Sequence, residues 1–224
     1  FSPKRDMTLA QYQKIGRDVG RLFWLDIGGG EPFLRKDLAE VIGSFQTGIV
    51  QIPSNGSLPD PMMDQLKRMK RLTNAEISIS LSLDGLKKTH ERIRGAKGNW
   101  DEVWSTFKRL RELGKHPVKI NTVVTNENKN ELIELMLEVR RRGPDFHSII
   151  LLRGDPMDPE TKLPTLDELR CLGPEIFSIL ETYDYGQNSL SAHILRNYHK
   201  YLWNLSLQTI EKQCQVIPCL AGRA

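Results

Sequence analysis

The sequence predicts an α/β fold: a partial (β/α)6 barrel of parallel strands followed by a C-terminal helical extension. Three observations lead there. Short apolar runs alternate with amphipathic stretches, with strand starts roughly 25–40 residues apart, the period of parallel βα units. Polar side chains within the strands fall on one parity, leaving an aliphatic face for helices to cover. Glycines gather at a strand exit, where ligands meet parallel (β/α) sheets.

The strands are expected at residues 22–28, 48–53, 76–84, 118–124 and 147–152. Thr8-Leu9-Ala10-Gln11 has the spacing of a capping box, in which the hydroxyl and the amide satisfy orphan backbone donors. Asp60 before Pro61 places a capping carboxylate ahead of a proline at the first helical position. Asn99 opens a helix that runs to Leu113 and stops at Gly114. Residues 128–142 form another, closed by Gly143-Pro144. A proline-rich loop, 153–164, precedes helices over 166–182, opened by Thr165, and 190–212. Cys171 is expected in the core of the first of these.

Right-handed crossovers allow a doubly wound sheet or a barrel, and the strand faces favour the barrel. Ile77, Ile79, Leu81 and Leu83 alternate with Ser78, Ser80, Ser82 and Asp84. Lys119 and Asn121 share a face, Gln51 and Asn55 share a parity, and Asp26 is embedded in an earlier strand. Polar groups left unpaired in a dry core would cost about 1–3 kcal/mol each. A wet or ligand-filled lumen avoids that cost.

Composition narrows the function. Lys+Arg number 32 against 28 Asp+Glu, a net charge of +4 too mild for a nucleic-acid binder, and Lys67, Arg68, Lys70 and Arg71 punctuate a helix rather than form a tract. No apolar run approaches the ~18 residues of a membrane span. Three cysteines make no disulfide framework, which points to a reducing, cytoplasmic setting.

The most informative stretch is Gly28-Gly29-Gly30-Glu31-Pro32 followed by Phe33-Leu34-Arg35-Lys36-Asp37-Leu38. Glycines here let a ligand approach the backbone, Glu31 adds a carboxylate and Pro32 stiffens the exit. The pattern is neither a dinucleotide fingerprint nor a phosphate-binding P-loop. It resembles the GGEP segment of radical S-adenosylmethionine (radical SAM) enzymes. Further segments follow in that family's order: Ser54-Asn55-Gly56, then Ser80-Leu81-Ser82-Leu83-Asp84-Gly85, then His90-Glu91-Arg92-Ile93-Arg94-Gly95.

The resemblance implies a core over residues 1–153, a loop and helical connection over 154–213, and the start of an iron–sulfur extension of SPASM or twitch type over 214–224. It implies a core that generates a 5′-deoxyadenosyl radical for hydrogen abstraction. Gly28, Gly29, Gly30, Glu31 and Pro32 would hold the methionine amino group. Asn55, Ser82, Asp84 and Asn121 would line the cofactor pocket, Arg94 would pair with the methionine carboxylate, and Leu151 or Leu152 would pack on adenine. The family's [4Fe–4S] cluster needs three thiolates in Cys-x-x-x-Cys-x-x-Cys, yet no cysteine precedes Cys171. Its ligands are expected upstream of Phe1, in a larger protein. Cys214 and Cys219 would begin an auxiliary [4Fe–4S] site. The implied partners are a peptide, protein or small-molecule substrate and an electron donor such as flavodoxin or ferredoxin, with no nucleic acid and no membrane. Two other readings stand beside this one: a degenerate barrel that binds a peptide without catalysis, and an unrelated barrel enzyme using Glu31 and Asp84 as acid and base.

Overall fold

The computed structural model describes residues 6–114, 116–156, 158–183 and 189–218. In chain order the elements are α1 (Leu9–Val19), β1 (Arg21–Asp26), α2 (Leu38–Gly43), β2 (Gln46–Ser54), α3 (Pro59–Leu72), β3 (Glu76–Ser82), α4 (Lys87–Arg94), α5 (Asn99–Leu113), β4 (Val118–Val124), α6 (Leu132–Arg142), β5 (Phe146–Leu151), α7 (Leu166–Leu180) and α8 (Ser189–Lys212). The strands lie in one sheet in the order β1-β2-β3-β4-β5. The pairs β1/β2, β2/β3 and β3/β4 are parallel. Sequential order with a helical crossover between neighbours is the topology expected from the βα period.

Two helix starts follow their expected caps. The Thr8 hydroxyl accepts from the Gln11 N–H at 3.3 Å while the Gln11 side chain accepts from the Thr8 N–H at 2.7 Å. Thr165 and Glu168 make the same reciprocal pair at the start of α7. Lys129 and the Thr165 cap together hold the Glu168 carboxyl down at about 2.

Two other starts are displaced. Helix α3 begins at Pro59 with Leu58 as its N-cap, two residues before the expected Pro61. Both prolines then sit in the first turn, where a missing N–H breaks no helical bond, and Asp60 lies beside the helix's positive end. Helix α5 is capped by Gly98, and Asn99 is its first residue. The Asn99 amide spans to the Asn55 carbonyl at 3.3 Å instead.

Contacts group the chain into two compact units, one comprising residues up to Leu83 with Arg94–Asn121, the other Asp84–Ile93 with the chain from Thr122 onward. In the first, one sheet face is aliphatic: Val50, Ile52, Ile77, Ile79, Leu81, Val118 and Ile120 are buried, as are Leu66 and Met69 of α3 and Val103 and Leu110 of α5. Helix α1 approaches α2 so closely at Gly16 that an added Cβ would lie 2.1 Å from the Ser44 carbonyl oxygen. Because that obstacle is backbone, Gly16→Ala is expected to cost about 3 kcal/mol. A fall in the urea midpoint with unchanged m-value would show it.

The second unit packs α6, α7 and α8 around Val124, Leu132, Met136, Phe146, Leu151, Leu169, Ile176, Leu180, Tyr183 and Trp203. Cys171 is not part of this core: it is exposed. On α7 the buried stripe runs through Leu169, Gly173, Ile176 and Leu180, and a residue two positions after Leu169 points elsewhere. Leu151, expected against adenine, is likewise a core residue here, while its neighbour Leu152 is half-exposed. His147 is wholly buried, with Nε2 2.8 Å from the Thr122 hydroxyl, and burial drives its pKa down to about 3. Among the described residues no helix is long and apolar enough to cross a membrane.

Candidate functional site

The glycine loop leaves β1 exposed at Gly28, Gly29 and Gly30. Gly29 has φ +125°, a conformation that side chains rarely adopt. An ideal Cβ on any of the three would meet nothing within 4 Å. Packing within the chain therefore does not account for three glycines in a row, and open space borders their backbone groups. The loop also walls a cavity of about 280 Å³ with Tyr12, Leu38, Val41 and Phe45.

Glu31 shapes the loop from below. It is the N-cap of a single 3-10 turn, Pro32–Leu34, and its carboxylate accepts from the Phe33 N–H at 3.2 Å. It also accepts from the Ser54 hydroxyl at 3.0 and 3.1 Å and from the Asn55 N–H at 2.7 Å. Both carboxylate oxygens thus serve the loop's own geometry, joining the exits of β1 and β2. Pro32 is buried beneath it. Acceptors at the loop include its backbone carbonyls and the carboxylates of Asp26 and Asp6, which line the same cavity.

The exit of β2 is fixed in turn by α5. The Asn55 side chain closes a turn onto the Ser57 N–H and hydroxyl, at 2.9 and 2.7 Å. The Gly56 carbonyl accepts from the buried Thr106 hydroxyl at 2.7 Å. These anchors escaped the sequence reading, although serine before Asn-Gly was the available cue. Asn55 is half-buried, its amide oxygen turned to its own loop.

The sheet face opposite the helices is polar, as the strand parities predicted. Parallel register sets Asp26 beside Gln51 and Gln51 beside Ser78; one step up, Ser80 lies beside Lys119 and Ser82 beside Asn121. The polar groups partly satisfy one another. Lys119 Nζ donates to Gln51 Oε1 at 3.0 Å, and the Gln51 amide donates to the Ser80 hydroxyl. Nζ stands 5.6 Å from the centre of the Trp24 ring, which is itself 42% exposed. Ser82 and Asn121 are half-buried on this face. Trp24 was absent from the sequence reading; sharing parity with Asp26 would have revealed it.

The other expected site residues are placed as follows. Arg94 is exposed at the last position of α4. In the second unit, Asp84 is buried; its carboxylate accepts from the Val123 N–H at 2.9 Å and its own N–H donates to His90 Nδ1 at 3.0 Å. Asn128 donates to the Asp84 carbonyl at 2.8 Å. Asp84 thus braces the β3 exit. Cys214 is an exposed free thiol, and Cys219 lies outside the described residues. No three His, Cys, Asp or Glu side chains among the described residues could share a metal ion. A three-thiolate iron–sulfur site does not fit what the described residues offer, whereas the glycine loop leaves open space for a ligand beside its backbone.

Comparison with known proteins agrees with the geometry. A probable GTP 3′,8-cyclase of Methanococcus maripaludis is 30% identical over 62% of this chain and 45% of its own length. Mycofactocin maturase MftC of Mycolicibacterium smegmatis is 28% identical over 62% of this chain and 36% of its own. The chain therefore spans less than half the length of these curated relatives. Among solved structures, native anSMEcpe with bound AdoMet and Kp18Cys peptide superposes with a TM-score of 0.61 at 15% identity, covering 96% of this chain and 59% of that one. This likeness shows the fold, an α/β partial barrel of parallel strands continued by helices. Residues 8–139 match the profile of the radical SAM superfamily, and the chain belongs to that superfamily.

Proposed function

We propose that this chain is the S-adenosylmethionine-binding core of a radical SAM enzyme that modifies a peptide or protein. The single observation that carries the binding role is the glycine loop: three exposed glycines with open space where each Cβ would be, tied down by Glu31. When bound and reduced by one electron from an iron–sulfur cluster, S-adenosylmethionine would supply the chemistry that abstracts hydrogen from the substrate. The chain's own residues bind and orient it. Backbone carbonyls of the loop accept from the methionine ammonium, Arg94 pairs with the carboxylate, and Ser82 and Asn121 offer polar contacts to the ribose. Glu31 holds the loop in the shape that presents those carbonyls.

The peptide reading is supported by the maturase relative and by the peptide in the neighbouring structure. The cyclase relative favours a second reading, a small-molecule substrate with the same cofactor chemistry. Auxiliary iron–sulfur ligation by Cys214 and Cys219 and a flavodoxin- or ferredoxin-type electron donor belong to this proposal as well.

Two measurements test it. Calorimetry of the full chain with S-adenosylmethionine is expected to show saturable binding that Gly29→Val abolishes. The polypeptide carrying this chain, reconstituted with iron and sulfide without oxygen and then reduced, is expected to release 5′-deoxyadenosine. Binding without cleavage would mark a non-catalytic relative. Absence of both would remove the assignment.

A further inference from the structure

The polar sheet face holds a second constellation, reaching from β4 across β3 and β2 to Trp24 on β1, the strand that leads into the glycine loop. From Lys119, Gln51, Ser80 and Trp24 we infer an anion-binding subsite that orients the substrate by a carboxylate or phosphate group, an inference that rests on the enzyme reading above.

A lysine on a parallel strand costs rotamer entropy and desolvation, which neutral residues at that position would avoid. Here the side chain is held in place. The Gln51 amide is oriented by donating to Ser80, so its carbonyl oxygen faces Nζ at 3.0 Å. The Trp24 ring flanks the ammonium at 5.6 Å, a cation–π distance. Lys119 is half-buried, so part of it reaches the solvent side of the face. A cation fixed before binding loses little entropy when an anion arrives.

The remaining charge on this face gives the subsite a direction. Asp26 occupies β1, in register with Gln51, and is exposed. Glu76, exposed at the start of β3 on the parity of Ser78 and Ser80, adds a second carboxylate, so of these three groups only the ammonium on β4 is positive. An anionic substrate group is repelled by the two carboxylates and drawn to the ammonium. The exposed Trp24 ring, two residues before Asp26 on β1, offers an apolar surface to the body of the ligand.

The test uses the full chain with its lysines reductively ¹³C-methylated, followed by NMR. The Lys119 signal is the one that disappears in Lys119→Met, provided that variant melts like the parent. On titration, succinate shifting this signal saturably with the others unmoved identifies a carboxylate site, and inorganic phosphate doing so identifies a phosphate site. Gln51→Leu, which frees Nζ from its fixed position, is expected to weaken either response about tenfold. No response to succinate or phosphate, or equal shifts in all lysines, would overturn the subsite. Calorimetry with S-adenosylmethionine on Lys119→Met is expected to match the parent, so the failures are separable: a parent that binds no cofactor removes the enzyme reading and the substrate role with it, whereas a parent that binds the cofactor but shows no Lys119 response overturns the subsite alone.

Discussion

Lowering the pH from 6.5 towards 3 is expected to remove about 1.4 kcal/mol of stability per pH unit through His147 alone. This imidazole is wholly buried, and burial disfavours its cation enough to bring the folded-state pKa from 6.5 to about 3. Between those values the unfolded chain binds a proton that the folded chain refuses. Stability from this group is therefore full above pH 6.5 and is lost as the pH falls towards 3. The whole interval is worth about 5 kcal/mol, comparable with the net stability of a typical domain. The geometry agrees: Thr122 is the partner of Nε2, and Nδ1 is buried with no partner. Protonation would put a second, unsatisfied donor and a charge into the same site. His147→Gln retains a group able to bond to Thr122 but does not titrate, so its urea midpoint is expected to fall less steeply with acid. His116, nearly buried, is shifted in the same direction by desolvation, which makes the difference between the two slopes the relevant quantity. Parallel slopes would show that His147 accepts a proton in the folded protein.

How much of this was legible in the sequence follows from where alternation was present. In β3, isoleucine and leucine alternate with serine, and the structure buries that aliphatic set on the helix side. Strand β4 was bounded correctly for the same reason. Strand β5 gives no such signal, since Ile149, Ile150, Leu151 and Leu152 are apolar at every position. Which leucine joined the core could not be read from it. Cys171 fails similarly: adjacent leucines suggest burial, but only the stripe through Leu169 and Ile176 faces inward. The lumen reading was right in parity and incomplete in chemistry. Gln51, Ser80 and Lys119 bond across three strands, a fact that depends on register and not on any one segment.

The role of Glu31 shows the same gap from the functional side, and its replacement carries the other large expected effect. The motif suggested a carboxylate turned towards a ligand; the structure turns it towards the chain, where it accepts from Phe33, Ser54 and Asn55. Glu31→Ala removes all of these acceptors at once. Ser54 and Phe33 are buried at 3% exposure each, so water does not readily replace the lost partner. With about 1–3 kcal/mol for each stranded donor, the variant is expected to lose about 4 kcal/mol. The urea midpoint of the full chain measures this. Glu31→Gln keeps one oxygen but sets an amide N–H₂ against either the Phe33 or the Asn55 N–H, so it is expected to recover about half of the loss. If the loop is the cofactor's seat, affinity for S-adenosylmethionine falls in the same order: parent, glutamine, alanine. Glu31 then acts by positioning the glycine carbonyls. A direct ligand would behave otherwise, with affinity collapsing in the glutamine variant while stability stayed near that of the parent.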